Sequence, residues 1–293
     1  MKTLREVLAD ADSRRVAVGH FNISELAALN GIFTAARELQ LPLLIGVSEG
    51  ERDFIGVRTA AGIIKSMREE YDYPIFLNAD HTHSLEKAVE AAKAGFDEII
   101  FDNSSLPLGE NIKNTKEAVA AIRAIDPNIV IEGEIGYIGL NSEVMDAPPN
   151  GIALSTPEDA VRFCAETGID VLAPAVGNMH GLLKTMVAGI AHKEIDISRI
   201  GAIKQAIAAQ TGTKWMTLHG GSGTEDRLFT DAAHAGMTII HVSSELRLAW
   251  RRGVEQGLKD KPDEIAPYKI LPPAVEGIHD IVIDRLKLFN GLE

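Results

Sequence analysis

Val16-Ala17-Val18-Gly19-His20-Phe21-Asn22 is the stretch on which the fold turns. Its apolar, β-branched start reads as a strand, and a helix-period segment follows from residue 25 to about 40. A strand running into a helix opens two kinds of parallel α/β architecture. A doubly wound open sheet that holds a dinucleotide needs a glycine-rich turn directly after this strand. Gly19-His20-Phe21-Asn22 is not such a turn; it carries a histidine and a carboxamide to the strand's end. A closed barrel needs no glycine fingerprint here and gathers polar residues at its C-terminal strand ends.

Outward from this segment the same unit repeats without a break. Strands are expected at 42–47, 74–78, 98–102, 128–133, 170–174, 214–218 and 238–242. Helices are expected at 57–71, 85–94, 111–125, 198–210, 224–235 and from 245 to about 258. A further helix starts at Thr156-Pro157-Glu158-Asp159, with Thr as N-cap, Pro in the first turn and acids beside it. Eight strand-helix units predict an α/β fold, a (β/α)8 TIM barrel forming one domain over residues 1–293. The tail from about Pro262 carries prolines and then a helical stretch at 278–289, a C-terminal extension placed to cap the barrel or meet another subunit.

Bulk properties narrow the function. Lys and Arg total 29 against 42 Asp and Glu, a formal charge of −13, so nucleic acid is a poor partner and any phosphate must be met locally. Cys164 is the only cysteine; an intramolecular disulfide is impossible, and its helix-interior setting reads as a buried structural thiol. No basic segment followed by an apolar one opens the chain, and no apolar run approaches the roughly 20 residues of a membrane helix. A cytoplasmic enzyme is expected.

The residues after each strand carry the chemistry. His81, His180 and His219 follow strands three, six and seven, where they can converge above the barrel mouth. A lone histidine would be read as satisfied by local hydrogen bonds. Three at equivalent strand ends, two of them followed directly by glycine, read as a catalytic metal set with an open position. His192, His234 and His279 fall on helices or loops, whereas His20, His83 and His241 sit near the mouth without a settled role. Asp80, beside His81, suits either a proton shuttle or a group that orients the imidazole. Gly220-Gly221-Ser222-Gly223, running into a helix after strand seven, suits an anion.

With these residues placed, the sequence resembles the class II ketose-bisphosphate aldolases from about Val16 to Arg247. The likeness rests on ordered blocks: Asn78-Ala79-Asp80-His81, Phe101-Asp102-Asn103-Ser104-Ser105-Leu106-Pro107 and Glu132-Gly133-Glu134-Ile135-Gly136. Gly177-Asn178-Met179-His180-Gly181 and Leu218-His219-Gly220-Gly221-Ser222-Gly223 complete it. The resemblance implies Zn²⁺ on His81, His180 and His219, with Glu134 as an alternative ligand and a monovalent cation as a second cofactor. It implies that Asp80 moves the hydroxyl proton next to the scissile bond, and that Glu143 is the nearest candidate for a loop acid. Asn22, Ser48, Gly181, Gly220, Gly221 and Ser222 match substrate or phosphate positions, and His241, Ser243 and Ser244 stand in the corresponding strand-eight motif. The implied partner is a phosphorylated ketose or dihydroxyacetone phosphate-like molecule, the implied role a retro-aldol step of carbohydrate metabolism such as glycolysis, and the implied assembly a dimer or tetramer of identical chains.

The chain also departs from the family. Ile239-Ile240-His241-Val242-Ser243-Ser244 stands where a Lys-Ile-Asn-Val-Asp-Thr type motif is usual, so a ketose-contacting asparagine and a phosphate-side aspartate are replaced. The loop after strand five reads Gly139-Leu140-Asn141-Ser142-Glu143 instead of paired glycines and acids, and His20 replaces a small residue. Lys214, expected on strand seven, is the lysine a Schiff-base mechanism would use. A non-catalytic partner of an active aldolase, or another metal-dependent barrel enzyme on a sugar phosphate, are the alternatives the sequence leaves open.

Overall fold

The computed structural model describes residues 2–139, 143–147, 153–190 and 192–292. Eight parallel strands close into a barrel in sequential order: β1 Val18–Asn22, β2 Leu43–Val47, β3 Ile75–Thr82, β4 Glu98–Phe101, β5 Val130–Ile135, β6 Val171–Pro174, β7 Trp215–Leu218 and β8 Ile239–Val242. β1 pairs with β8, His20 opposite His241, which closes the ring. The helices on the first half are α1 Leu4–Arg14, α2 Leu26–Leu39, α3 Glu49–Ile55, α4 Val57–Tyr71, α5 Leu85–Ala94 and α6 Leu108–Ile125. The second half carries α7 Pro157–Thr167, α8 Lys184–Val187, α9 Ile197–Gln210, α10 Asp226–Ala235, α11 Ser244–Asp260, α12 Pro267–Ile270 and α13 Pro272–Asn290.

The predicted alternation is therefore the observed one, with shifts that matter near the mouth. β3 runs to Thr82 and β5 to Ile135, so Asp80, His81 and Glu134 lie within strands and not beyond them. α10 starts at Asp226 and not at Thr224; Thr224 instead forms a bridge with Lys193. The Gly220–Gly223 turn also meets the N-terminus of α11, where Ser222 Oγ accepts from the amides of Ser243 and Glu245 at 3.3 Å each. Thr156 caps α7 as expected, its hydroxyl accepting from the Asp159 amide.

The opposite mouth is closed by α1, which the sequence reading did not place. A capping box starts it: the Thr3 amide donates to Glu6 at 2.7 Å, and Thr3 Oγ1 accepts from the Glu6 amide. Leu4, Val7, Leu8 and Ala11 pack on Val18, Leu44, Phe76, Val130, Val171, Trp215 and Ile239, the first inward residues of seven strands. The C-terminal tail is more helical than expected: α13 is continuous over 19 residues and packs through Ile278, Val282, Leu286 and Phe289 into the main core. Among the described residues, no helix is long and apolar enough to cross a membrane.

Cys164 lies in α7, only 1% exposed, and burial pushes its thiol up to about 11. Both effects suppress the thiolate, which is the reactive form. Ellman's reagent is therefore expected to titrate one thiol per chain rapidly in denaturant and far more slowly in the folded protein. Equal rates in the two states would contradict the burial.

Candidate active site

The C-terminal end of β3 sets the site's geometry. A regular strand sends successive side chains to opposite faces, which would separate Asp80 from His81. Between Ala79 and Thr82 the register with β4 shifts, and His81 takes a positive φ of 40°, strained for a non-glycine residue. Asp80 Oδ1 and His81 Nε2 consequently lie 3.7 Å apart at the mouth. Buried Arg52 on α3 holds this bend: its guanidinium donates to Val47 O at 2.6 Å, Asp80 O at 3.2 Å and Thr82 Oγ1 at 3.0 Å.

Three imidazoles converge as the sequence predicted. Ring centroids of His81 and His180 lie 4.6 Å apart, those of His81 and His219 4.8 Å, those of His180 and His219 5.9 Å. Carboxylates orient two of them. His81 Nδ1 meets Asp102 Oδ2 at 2.9 Å, while His219 is clamped by Glu134 at Nδ1 (2.8 Å) and by Glu132 at Nε2 (2.6 Å). Burial disfavours a charged His81 ring, but Asp80 and Asp102 outweigh it and push it up to about 9. The same opposition, with Glu132 and Glu134 as partners, raises His219 well above its ordinary value. His180 goes the other way: burial and its two imidazole neighbours hold it well below the usual range.

One observation tests whether a metal fits. His180 Nε2 is buried and has no hydrogen-bond partner among the described residues. It belongs to a set of ligand atoms from His81, Glu134, His180 and His219 that all lie within 4.8 Å of one another. Imidazoles with one carboxylate suit Zn²⁺, and the residues fit it. Binding there must displace ring protons from His81 and His219.

Asp80 is 5% exposed and has one oxygen spoken for, Oδ2 accepting from Asn22 Nδ2 at 2.8 Å; Oδ1 has no hydrogen-bond partner. Burial opposes its ionisation, yet the His81 and His20 imidazoles and the Asn22 amide hold the carboxyl below the usual carboxylate range. Asn22 also donates to Glu51, whose other oxygen accepts from Arg247. His20 and His241 stack face to face, centroids 3.5 Å apart and planes within 4°. Gly46 is obligatory beneath them, since a Cβ there would lie 2.1 Å from His20 Cε1. Burial holds both rings below their ordinary value; His241 lines the cleft, whereas His20 is fully buried behind it.

A cleft of about 310 Å³ joins these parts. Of the residues singled out from sequence, Asn22, Ser48, Asp80, His81, Glu143, His180, Gly181, Gly220, Ser222, His241, Ser243 and Ser244 line it. His219 and Glu134 lie behind the wall, 1% and 2% exposed. Gly221 is also buried away, its amide donating to His241 O at 3.0 Å. Residues 140–142 of the loop before Glu143 lie outside the described residues. Lys214 sits exposed at the start of β7, its ammonium near the Trp215 ring, at the opposite end of the strand from His219. Arg52, Glu51, Lys193 and Arg247 were missed from sequence. The first two fall in α3, which the periodicity did not reveal, and Lys193 belongs to no motif.

The model for "Fructose-bisphosphate aldolase class-II" matches residues 2–292. The chain is 31% identical over 292 residues to a probable fructose-bisphosphate aldolase of Bacillus subtilis, covering 99% of this chain and 97% of that one. It is 30% identical to the fructose-bisphosphate aldolase of Geobacillus stearothermophilus, covering 99% and 96%. Its fold is similar to that of the YdjI aldolase of Escherichia coli K12, with a TM-score of 0.80 at 24% identity over 98% and 96% of the two chains. With a sequential eight-stranded barrel, convergent histidines and a match along the whole length, the chain belongs to the class-II fructose-bisphosphate aldolase family.

Proposed function

We propose that this protein is a zinc-dependent aldolase that cleaves a phosphorylated ketose into two carbonyl fragments. The observation that carries the reading is the pairing of two free buried atoms: His180 Nε2 within the imidazole cluster and Asp80 Oδ1 beside His81. His81, His180 and His219 would hold the metal, with Glu134 at hand as a further oxygen ligand. When bound, Zn²⁺ supplies Lewis-acid polarisation of the ketone and stabilises the negative charge that bond cleavage creates.

The chain's own residues do the rest. Asp80 is ionised, so Oδ1 can accept the proton from the hydroxyl next to the scissile bond, while Asn22 fixes Oδ2 and thereby the carboxylate plane. Glu143, on the rim, is the candidate for returning a proton to carbon. Asn22 and Ser48 would contact the sugar. Gly181, Gly220, Gly221, Ser222, Ser243 and Ser244 would form the phosphate end, with Gly221 contributing through its backbone position and not through its amide.

Steady-state cleavage of fructose 1,6-bisphosphate, beside other phosphorylated ketoses, tests both reaction and substrate. Turnover of at least one ketose phosphate is expected, abolished by chelator and restored by zinc; turnover that ignores chelation, or none with any ketose phosphate, would sink the reading. His241 puts a bulky, neutral imidazole where the family has a ketose-contacting asparagine, and Ser243 removes a carboxylate from the phosphate side. Fructose 1,6-bisphosphate is therefore expected to be a poorer substrate for wild type than for the double variant His241→Asn, Ser243→Asp. Efficient wild-type cleavage with no gain in the double variant would mean that the two replacements leave specificity untouched.

A further inference from the structure

We propose that the ammonium of Lys193 is a built-in cation of the phosphate-binding end of the cleft, seated where a free monovalent ion would otherwise be held. The proposal deepens the aldolase reading and rests on it for the identity of the ligand. Lys193 is 3% exposed, yet it lines the cleft together with Gly181, Gly220, Ser222 and Ser243. Its Nζ donates to Met179 O and to Gly220 O, each at 2.7 Å. These carbonyls belong to the residue before His180 and the residue after His219, so the ammonium ties the two ligand loops together. They converge because position 220 is glycine: its φ is +60°, and a Cβ there would lie 2.2 Å from Met179 O. The Lys193 backbone is stitched to the same turn, its amide donating to Gly223 O at 2.9 Å.

An ammonium has three donors, and two are used. The third has no acceptor among the described residues. Glu245, the carboxylate whose charge acts on Lys193, is already engaged by the Gly223 amide and by Arg285. Two carbonyl contacts alone are a poor return for burying a charge, and burial pulls the Lys193 amine down to about 7; an arriving phosphate supplies the missing counter-charge and favours the ammonium form. Carbonyl oxygens are also how proteins replace the hydration shell of a monovalent ion. A lysine tethered between such oxygens does that job without drawing an ion from solution.

The test uses the zinc-loaded protein in tetramethylammonium buffers of fixed ionic strength, a cation too bulky for the space between the two carbonyls. Inorganic phosphate is titrated calorimetrically as its tetramethylammonium salt. Wild type is expected to bind phosphate with the same Kd whether or not K⁺ replaces part of the buffer cation. Lys193→Met, similar in length but neutral, is expected to bind roughly 10- to 100-fold more weakly, the usual effect of one lost charge-assisted hydrogen bond. K⁺ or NH₄⁺ should then recover part of that loss, and melting curves check that the variant is folded. Three outcomes overturn the proposal: wild-type binding that needs K⁺, Lys193→Met binding phosphate as wild type does, or borohydride trapping of a ketose phosphate on Lys193. The wild-type arm stands even if the variant fails to fold. Phosphate binding needs no turnover, so a chain that binds phosphate through Lys193 but cleaves no ketose would refute the aldolase reading alone.

Discussion

His180→Ala is expected to strip the protein of most of its zinc and of nearly all turnover. A catalytic zinc site is held by three protein ligands, and His180 brings the one imidazole nitrogen that is buried without any hydrogen-bond partner among the described residues. Its loss leaves His81, His219 and Glu134, of which His219 is already held at both ring nitrogens by glutamates. His81→Ala and His219→Ala should behave alike. Asp102→Asn provides the contrast, because Asp102 is outside the ligand set and supports His81 at Nδ1 while its other oxygen holds the Ser104 amide; losing such a support typically costs about 10- to 100-fold in metal affinity or activity. Metal analysis of each variant with parallel turnover decides the matter. Stoichiometric zinc and full activity in two of the three alanine variants would remove these histidines as ligands.

Asp80→Ala and Asp80→Asn are expected to keep their zinc and to lose turnover by about 10²- to 10⁴-fold, the usual cost of a missing acid-base group. The asparagine variant preserves shape beside Asn22 and removes only the charge and the proton-accepting oxygen. The pH profile adds a second readout. Because Asp80 is held below the usual carboxylate range in the folded protein, it stays ionised down through that range. Any loss of wild-type activity between neutrality and about pH 5 therefore has to come from other groups. Being depressed on folding, its charge stabilises the fold above the unfolded-state pKa and ceases to do so as pH falls through the folded-state value. If Asp80→Asn loses metal and retains its activity per bound zinc, Asp80 orients His81 and moves no proton.

Much of this is legible in the sequence. The barrel followed from eight strand-helix units and from the absence of a dinucleotide turn after Phe21-Asn22. The clustering of His81, His180 and His219 followed from their places after the third, sixth and seventh strands, because parallel strands in a closed ring direct all their C-terminal ends to one mouth. Elements with weak or competing local signals were not legible. α1 carries only a weak local signal although Thr3 and Glu6 form a capping box, because its short apolar face gains meaning only against the barrel floor it covers. α3 hid in a seven-residue polar stretch, and with it Glu51 and Arg52.

Sequence by itself determined the architecture, the family and the residue types at the mouth, since periodicity and strand-end position are local properties that survive without knowledge of contacts. Only the tertiary structure decided which atoms are free. The bulge and positive φ at His81 bring neighbouring Asp80 and His81 to one face, against the strand's own alternation. Two glutamates 85 and 87 positions away clamp His219. His20 and His241, 221 residues apart in the chain, stack because β1 closes onto β8. Lys193, unremarkable in sequence, becomes a buried amine between the two ligand loops because they turn the carbonyls of Met179 and Gly220 toward it. Burial and hydrogen-bond partnership are properties of pairs brought together by closure of the barrel, and a linear sequence does not list its pairs.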